Sequence, residues 1–314
     1  MKALKGINKI WYVFFLMIAQ LTILATSALA QQPQWTPITG PTGGQVTSFA
    51  TSGTNLFAGT AGGVFLTTNN GTSWTAVSTG LTNTEVSSLA IISGTNLFAG
   101  TWGSGVFLST NNGTSWTAVN TGLPYLYVYS LGVSNSNLLA GTTGGIFRST
   151  DYGKSWVAVY TGLPYPRPAA LSFAVSGTNL FAGTVGGVFL STNNGTNWTP
   201  VTTGLTNTNV FALAPSGNNL FAATAGGVYL STNNGTSWTA VNTGLTNTNV
   251  RSLAVNGSNL YAGTWGGGVF VSTDNGTSWT AANEKLANLY VRSFGVSGSN
   301  FFAGTVGGVF LSTK

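Results

Sequence analysis

The chain has 314 residues, ten lysines and arginines against four acids, and neither histidine nor cysteine. Disulfides, a lipid-anchoring cysteine and most metal or nucleophile–base constellations are thereby excluded. The sparse charge gives no basic tract of the kind that grips nucleic acid. Lys2, Lys5 and Lys9 supply half of the formal +6, so the polar surface has to be built from Thr, Asn, Ser and Gly.

The first segment reads as an export signal. The three lysines are followed by an apolar run from Ile10 to Leu24 and by Ala28-Leu29-Ala30, small residues at the positions a signal peptidase reads. The run is short of the roughly 20 residues that span a bilayer. The expectation is a cleaved signal over 1–30, a mature domain over 31–314, no membrane span after cleavage, and a secreted, periplasmic or envelope location.

The rest of the chain is one repeat. Trp35, Trp74, Trp116, Trp156, Trp198, Trp238 and Trp279 recur at spacings of 39, 42, 40, 42, 40 and 41. Each unit contains four short apolar or β-branched pieces bounded by Gly, Asn, Ser or Thr, a strand-and-turn signature with no helical period. A four-stranded unit of about 40 residues suits a β-propeller blade. First strands are predicted to begin at Val46, Val86, Val128, Ala170, Val210, Val250 and Val291, which makes seven blades. The seventh unit ends after its third strand, and Trp35-Thr36-Pro37-Ile38 supplies the missing fourth. The predicted fold is therefore all-β, a seven-bladed propeller whose N-terminal strand completes the last blade and closes the ring. The repeated Ala-Gly-Thr of the second strand is expected to let neighbouring sheets approach closely.

Between strands three and four the chain reads TTNNGTSW, STNNGTSW, STDYGKSW, STNNGTNW, STNNGTSW and STDNGTSW. The pattern resembles the Asp-box, or BNR repeat, of the sialidase-like propellers. Ser149, Asp151, Gly153, Ser155 and Trp156 match it fully, as do Ser272, Asp274, Gly276, Ser278 and Trp279. Asn69, Asn111, Asn193 and Asn233 occupy the acid position in the other copies, and Asn197 replaces one hydroxyl. The physics of a tight turn explains the motif: Asp or Asn bonds nearby backbone N–H groups, Gly permits positive φ, and the Trp begins strand four and packs into the blade. The free exchange of Asp for Asn argues for a structural role, and the loop lacks the further acids of a calcium site. No metal or cofactor is expected.

Strand alternation puts loops 1–2 and 3–4 on one face and loops 2–3 and 4–1 on the other. The resemblance implies that a site would lie opposite the Asp-boxes, and the copies differ most on that face. Two 2–3 hairpins gain a residue and a tryptophan, Trp102 and Trp265. The 4–1 connections carry Tyr125, Tyr127 and Tyr129 in one case, Tyr165 and Arg167 in another, and Tyr290 and Arg292 in a third. The residue after each first-strand start runs Thr47, Ser87, Tyr129, Leu171, Phe211, Arg251, Arg292. A column so variable inside near-uniform units is expected to line the mouth of a central funnel.

Aromatic platforms with Arg suit sugar stacking or a protein partner's anchor residues. The expectation is a monomeric, non-catalytic binding propeller that takes a glycan or a protein, like the photosystem-assembly-factor-like and sortilin-like propellers it resembles. One alternative is a sialidase-like glycoside hydrolase. Such enzymes use paired carboxyl groups, and the resemblance further implies three arginines, a Tyr–Glu pair and an Asp. Arg167, Arg251 and Arg292 imitate the arginines, but Asp151 and Asp274 lie in turns on the wrong face, and Glu85 and Glu284 stand two blades apart around the ring, with Glu284 further out. The other alternative is a passive repeat protein of the envelope or matrix.

Overall fold

A computed structural model describes residues 33–313; the predicted export signal lies outside the described residues. The described chain is a ring of seven four-stranded antiparallel sheets. In blade 1 the strands are Val46–Ser52, Asn55–Thr60, Gly63–Thr67 and Thr75–Ala76. Blades 2 to 6 repeat that order, with inner strands Val86–Ile92, Val128–Ser134, Ala170–Ser176, Val210–Ser216 and Val250–Asn256. Blade 7 takes Val291–Ser297, Asn300–Thr305 and Gly308–Thr313 from the C-terminal end and Gln34–Pro37 from the N-terminal end. Trp35 pairs with Ser312 and Pro37 with Phe310 in that closing register. The closing strand is four residues long, whereas the other outer strands have two.

A sheet with two apolar faces must cover both, and here each blade is covered by its neighbours. The second strand is buried along nearly its whole length in every blade. Phe57, Phe98, Phe181, Phe221 and Phe302 fill one column of that strand, with Leu139 and Tyr261 in blades 3 and 6. Each such side chain contributes about 1.5–3 kcal/mol by burial. Glycine in the same strand sets the blade spacing. A Cβ at Gly59 would stand 2.9 Å from Cγ1 of Val86 in the next blade, and one at Gly141 would stand 2.2 Å from the Ala170 carbonyl oxygen. Blade 5 carries the buried Ala223 at this position.

The tryptophans pack into the blade as expected, Trp116 against Leu97 and Phe107 of its own sheet, and also clamp that blade to the one before it. Contrary to expectation, the outer strands of blades 1 to 6 start one residue after the Trp, whereas the closing strand contains Trp35. The indole N–H groups of Trp116, Trp156, Trp238 and Trp279 donate to the carbonyls of Val77, Val119, Val201 and Val241 in the preceding blades, at 2.7–2.8 Å. Their main-chain N–H groups donate to Thr79, Thr121, Thr203 and Thr243. Trp198 keeps only the main-chain bond, to Thr161, and the indole N–H groups of Trp74 and Trp198 are buried without an acceptor. The closing strand reproduces the full clamp, since Trp35 donates its indole N–H to Ala282 at 2.7 Å and its main-chain N–H to Glu284 at 3.0 Å.

The residue after the accepting carbonyl takes φ > 0 at this close approach, which favours glycine. At Gly80 (φ +92°) a Cβ would lie 2.4 Å from the Trp116 carbonyl oxygen. Blade 6 has Lys285 there instead, also in the left-handed region at φ 63°. Its Nζ donates to Gln34 Oε1 at 3.1 Å, and Gln34 Nε2 donates to Glu284 at 3.0 Å, so the exception sits on the closing seam and binds the closing strand.

Deleting residues 31–45 is expected to lower the melting temperature sharply, and Trp35→Ala alone to cost about 3–5 kcal/mol in denaturant unfolding. An unchanged melting curve would show that the ring does not depend on this strand. Gly141→Ala, which drives a methyl against backbone, is expected to cost about 1–3 kcal/mol. Gly59→Ala should cost less, because its methyl meets side-chain atoms that can shift.

Candidate functional site

The site starts from an irregularity in the sheets. In all seven blades the register between inner and second strand slips at the second residue of the inner strand: Val46 pairs with Thr60 and Ser48 with Gly59, leaving Thr47 unpaired. The same slip leaves out Ser87, Tyr129, Leu171, Phe211, Arg251 and Arg292. A bulge residue is released from the ladder and its side chain is re-aimed. These seven side chains line one central cavity of about 470 Å³, and Trp102 and Trp265 complete its lining.

The two tryptophans arrive by a shared device. The longer hairpins of blades 2 and 6 reach over to the connection that enters the next blade. Gly103 and Gly105 N–H donate to Leu126, and Gly266 and Gly268 N–H donate to Leu289. Isolated bridges join Trp102 to Tyr127 and Trp265 to Tyr290. The Trp102 ring then meets Tyr129 edge-on at 5.5 Å and Tyr127 at 6.5 Å, and Trp265 meets Tyr290 at 5.1 Å. Blades 2 and 6 are three places apart in a ring of seven, so the tryptophans stand on nearly opposite walls.

The walls differ electrically. On blades 1 and 2 the Thr47 and Ser87 hydroxyls meet carbonyls of their own second strand, Gly59 and Gly100, and of the next blade's inner strand, Val86 and Val128. On blades 6 and 7 the Arg251 guanidinium lies 4.0 Å over the Phe211 ring and 5.6 Å from Trp265, and Arg292 lies 5.6 Å from Trp265. Arg292 Nη1 donates to Gln45 Oε1 at 3.1 Å. Burial lowers the pKa of both arginines, and the neighbouring Arg251 charge lowers that of Arg292 further.

The structure therefore brings Trp102, Tyr129, Phe211, Arg251, Trp265 and Arg292 into one cavity. Tyr127 and Tyr290 support the tryptophans from outside its lining. Tyr125, Tyr165 and Arg167 belong to a separate rim cluster. There Arg167 lies 3.9 Å over Tyr160 and 5.6 Å from Tyr165, and Tyr125 packs against Phe147 at 6.0 Å. Sequence reasoning missed Tyr160 and Gln45. Tyr160 had a signal: it replaces the Asn of TAVNTG, present as Asn120 and Asn242 and, within TAANEK, as Asn283. Burial raises its phenol pKa and Arg167 offsets part of that rise.

The opposite face carries the repeated turns. Asp151 accepts from Ser149 Oγ at 2.8 Å, from Ser155 N–H at 2.9 Å and from Ser155 Oγ at 2.6 Å. Asn69 accepts from Thr67 Oγ1 and Ser73 N–H and donates to Ser73 Oγ, so the amide reproduces the set with one bond reversed. Asn70, Asn112, Asn194, Asn234 and Asn275 hold the next position in the left-handed region, with Tyr152 as the exception at φ 60°. A depression of about 630 Å³ on this face is lined by Ser, Gly, Thr and Asn from 176–179, 217–218, 232 and 234; it holds no charged or aromatic group to orient a ligand. Among the described residues no group of three or more His, Cys, Asp or Glu is placed to hold a metal, and no helix is long and apolar enough to cross a membrane.

The model of the DUF6242 beta propeller domain matches residues 1–137 and 176–302. The chain belongs to the DUF6242 beta propeller family. A comparison with functionally curated proteins returned no match. Among solved structures, this DUF6242 propeller is similar to the extracellular domain of BT4673 from B. thetaiotaomicron, with TM-score 0.76 and 18% identity over 90% of this chain and 40% of that one. It is similar to YCF48 bound to D1 peptide, with TM-score 0.68 and 18% identity over 90% and 97% of the two chains. It is also similar to an ancestral GH74 enzyme, with TM-score 0.68 and 19% identity over 88% and 46%. Identity this low shows a common fold. The chain spans 40% of the BT4673 domain's length.

Hydrogen bonds from Ser155 and Ser278 hold the Asp151 and Asp274 carboxyls below the ordinary carboxylate range. A lowered folded value stabilises the protein above the unfolded value and loses that contribution as pH falls through the folded one. Asp151→Asn/Asp274→Asn, which keeps the turns, is expected to flatten the acid side of the Tm–pH curve measured from neutral to strongly acid pH.

Proposed function

We propose that this propeller is an exported, non-catalytic binding module that holds a glycan or protein partner at the mouth of its central cavity. The observation that carries this reading is the lining itself. Seven bulge residues and two tryptophans from different blades converge on one cavity, with aromatic faces and two arginines. A volume of about 470 Å³ falls in the usual range for small-ligand sites, roughly 300–1,000 Å³. Export is supported by the lysine-led apolar segment at 1–30 and by the extracellular domains of BT4673 and BT3049 among similar structures. A peptide-binding use of the same fold is illustrated by YCF48 with its D1 peptide. The repeated turns read as Asp-boxes of the sialidase-like type in a structural role.

A glycosidase reading has the GH74 neighbours in its favour. The carboxylates count against it. Hydrolysis between two carboxyl groups requires them about 5–10 Å apart across the scissile bond, and no Asp or Glu lines the cavity. Asp151 and Asp274 are engaged in turns, and Glu284 is bonded to Gln34 on the outer edge.

Glycan and peptide arrays probed with the mature chain are expected to show binding that weakens at least about tenfold in Trp102→Ala and in Trp265→Ala, as for exposed aromatic anchors that a partner covers. Binding indifferent to both changes would remove the cavity from the reading. Turnover of any polysaccharide would overturn the non-catalytic assignment.

A further inference from the structure

Arg251 and Arg292 occupy bulge positions on neighbouring blades and line the cavity together. Two like charges on a partly buried wall repel each other, and the usual remedy is an acid between them. No described carboxylate takes that place: Arg292 has Gln45, a neutral amide, and Arg251 has ring faces. Arg251 Nε is buried and has no hydrogen-bond acceptor. A buried N–H without an acceptor is costly, and the guanidinium that carries this one lines the cavity. Phe211 takes one face of the Arg251 guanidinium at 4.0 Å, and Trp265 lies 5.6 Å from both arginines, which leaves the terminal N–H donors other than the one Gln45 holds for an oxyanion.

The far wall is different. Trp102 and Tyr129 meet edge-on at 5.5 Å, and beside them Ser87 is already bonded to backbone carbonyls. That wall is neutral and offers flat apolar surface. The cavity is thus polarised, cationic on blades 6 and 7 and aromatic on blades 2 and 3.

We propose that Arg251 and Arg292 form an anion subsite, and that the cavity takes a small organic acid whose carboxylate sits between the two guanidiniums while its flat neutral body lies against Trp102 and Tyr129. This assignment rests on the reading of the cavity as a ligand site and adds the polarity of the ligand.

The test uses the mature chain with two matched pairs of probes, galacturonate with galactose and phenylacetate with phenylacetamide, titrated calorimetrically at low salt. At least one acid is expected to bind about tenfold more tightly than its neutral partner, as a charge-assisted hydrogen bond implies. The preference should vanish in Arg251→Gln and in Arg292→Gln and shrink as salt is added. Without ligand, both variants should melt no lower than the parent, because losing one cation relieves the other. Equal binding of acid and neutral partner, with both lost in Trp102→Ala, would overturn the anion subsite and leave the binding cavity standing. Failure of both acids to bind the parent would also overturn it, whatever the glycan and peptide arrays show. A drop of several degrees in the free Arg variants would make the pair structural and end the proposal.

Discussion

Every feature of this molecule depends on the close approach of one sheet to the next. A blade has two apolar faces and no other element to cover them, so it must lie against a blade on each side, the seventh against the first. The distance between sheets is set where the side chain is smallest, at Gly59 and its equivalents against the first residue of the following inner strand. It is held at the outer edge by indole and main-chain N–H groups that satisfy carbonyls of the preceding blade. Trp35 makes both of these bonds from the other end of the chain. The closing strand is therefore one more copy of the interface that builds the ring.

The bulge separates that architecture from the site. Strand residues in register answer to cross-strand partners and to the neighbouring sheet, and their identities scarcely vary between blades. The bulge residue has no place in the ladder, and only Thr47 and Ser87 tie their side chains to the strands around them. Thr47, Tyr129, Leu171 and Arg251 occupy equivalent backbone positions with unrelated chemistry, because their side chains face the open centre of the ring. The same freedom allows two arginines to stand side by side without a counter-charge, an arrangement the tightly packed blade interfaces would not tolerate. The carboxylate turns on the other face are the reverse case. Their hydrogen bonds are internal and complete, and an amide serves as well as an acid.

Much of this was legible in the residues. Tryptophan spacing and four apolar pieces per unit carry the blade count and the strand starts, because a repeat repeats its constraints. The ring closure follows from the missing fourth piece of the last unit and the spare one before Val46. Variation at one column pointed to the cavity before any geometry was known. Other features were not legible. The bulge leaves no mark in composition, since the slipped residue can be anything. The tryptophan's partner lies about forty residues away, in the blade before, and an apolar residue ahead of a short strand looks the same whichever sheet it seats against. Tyr127 and Tyr129 are two residues apart, yet only the second lines the cavity; the column after each first-strand start singled out Tyr129, whereas nothing in the residues gave Tyr127 its place against Trp102. Tyr160 stood out against the Asn of its sister copies, but its use depends on Arg167 folding back over the ring.

The residues by themselves determined the repeat, the number of sheets and which positions were free to vary, because those are matters of period and of local steric demand. The tertiary structure alone decided which free positions meet. Arg251 and Arg292 are 41 residues apart, and Trp102 is far from both. They share a cavity because the ring carries blades 2 and 6 to opposite walls and the bulges direct the inner-strand side chains toward its centre.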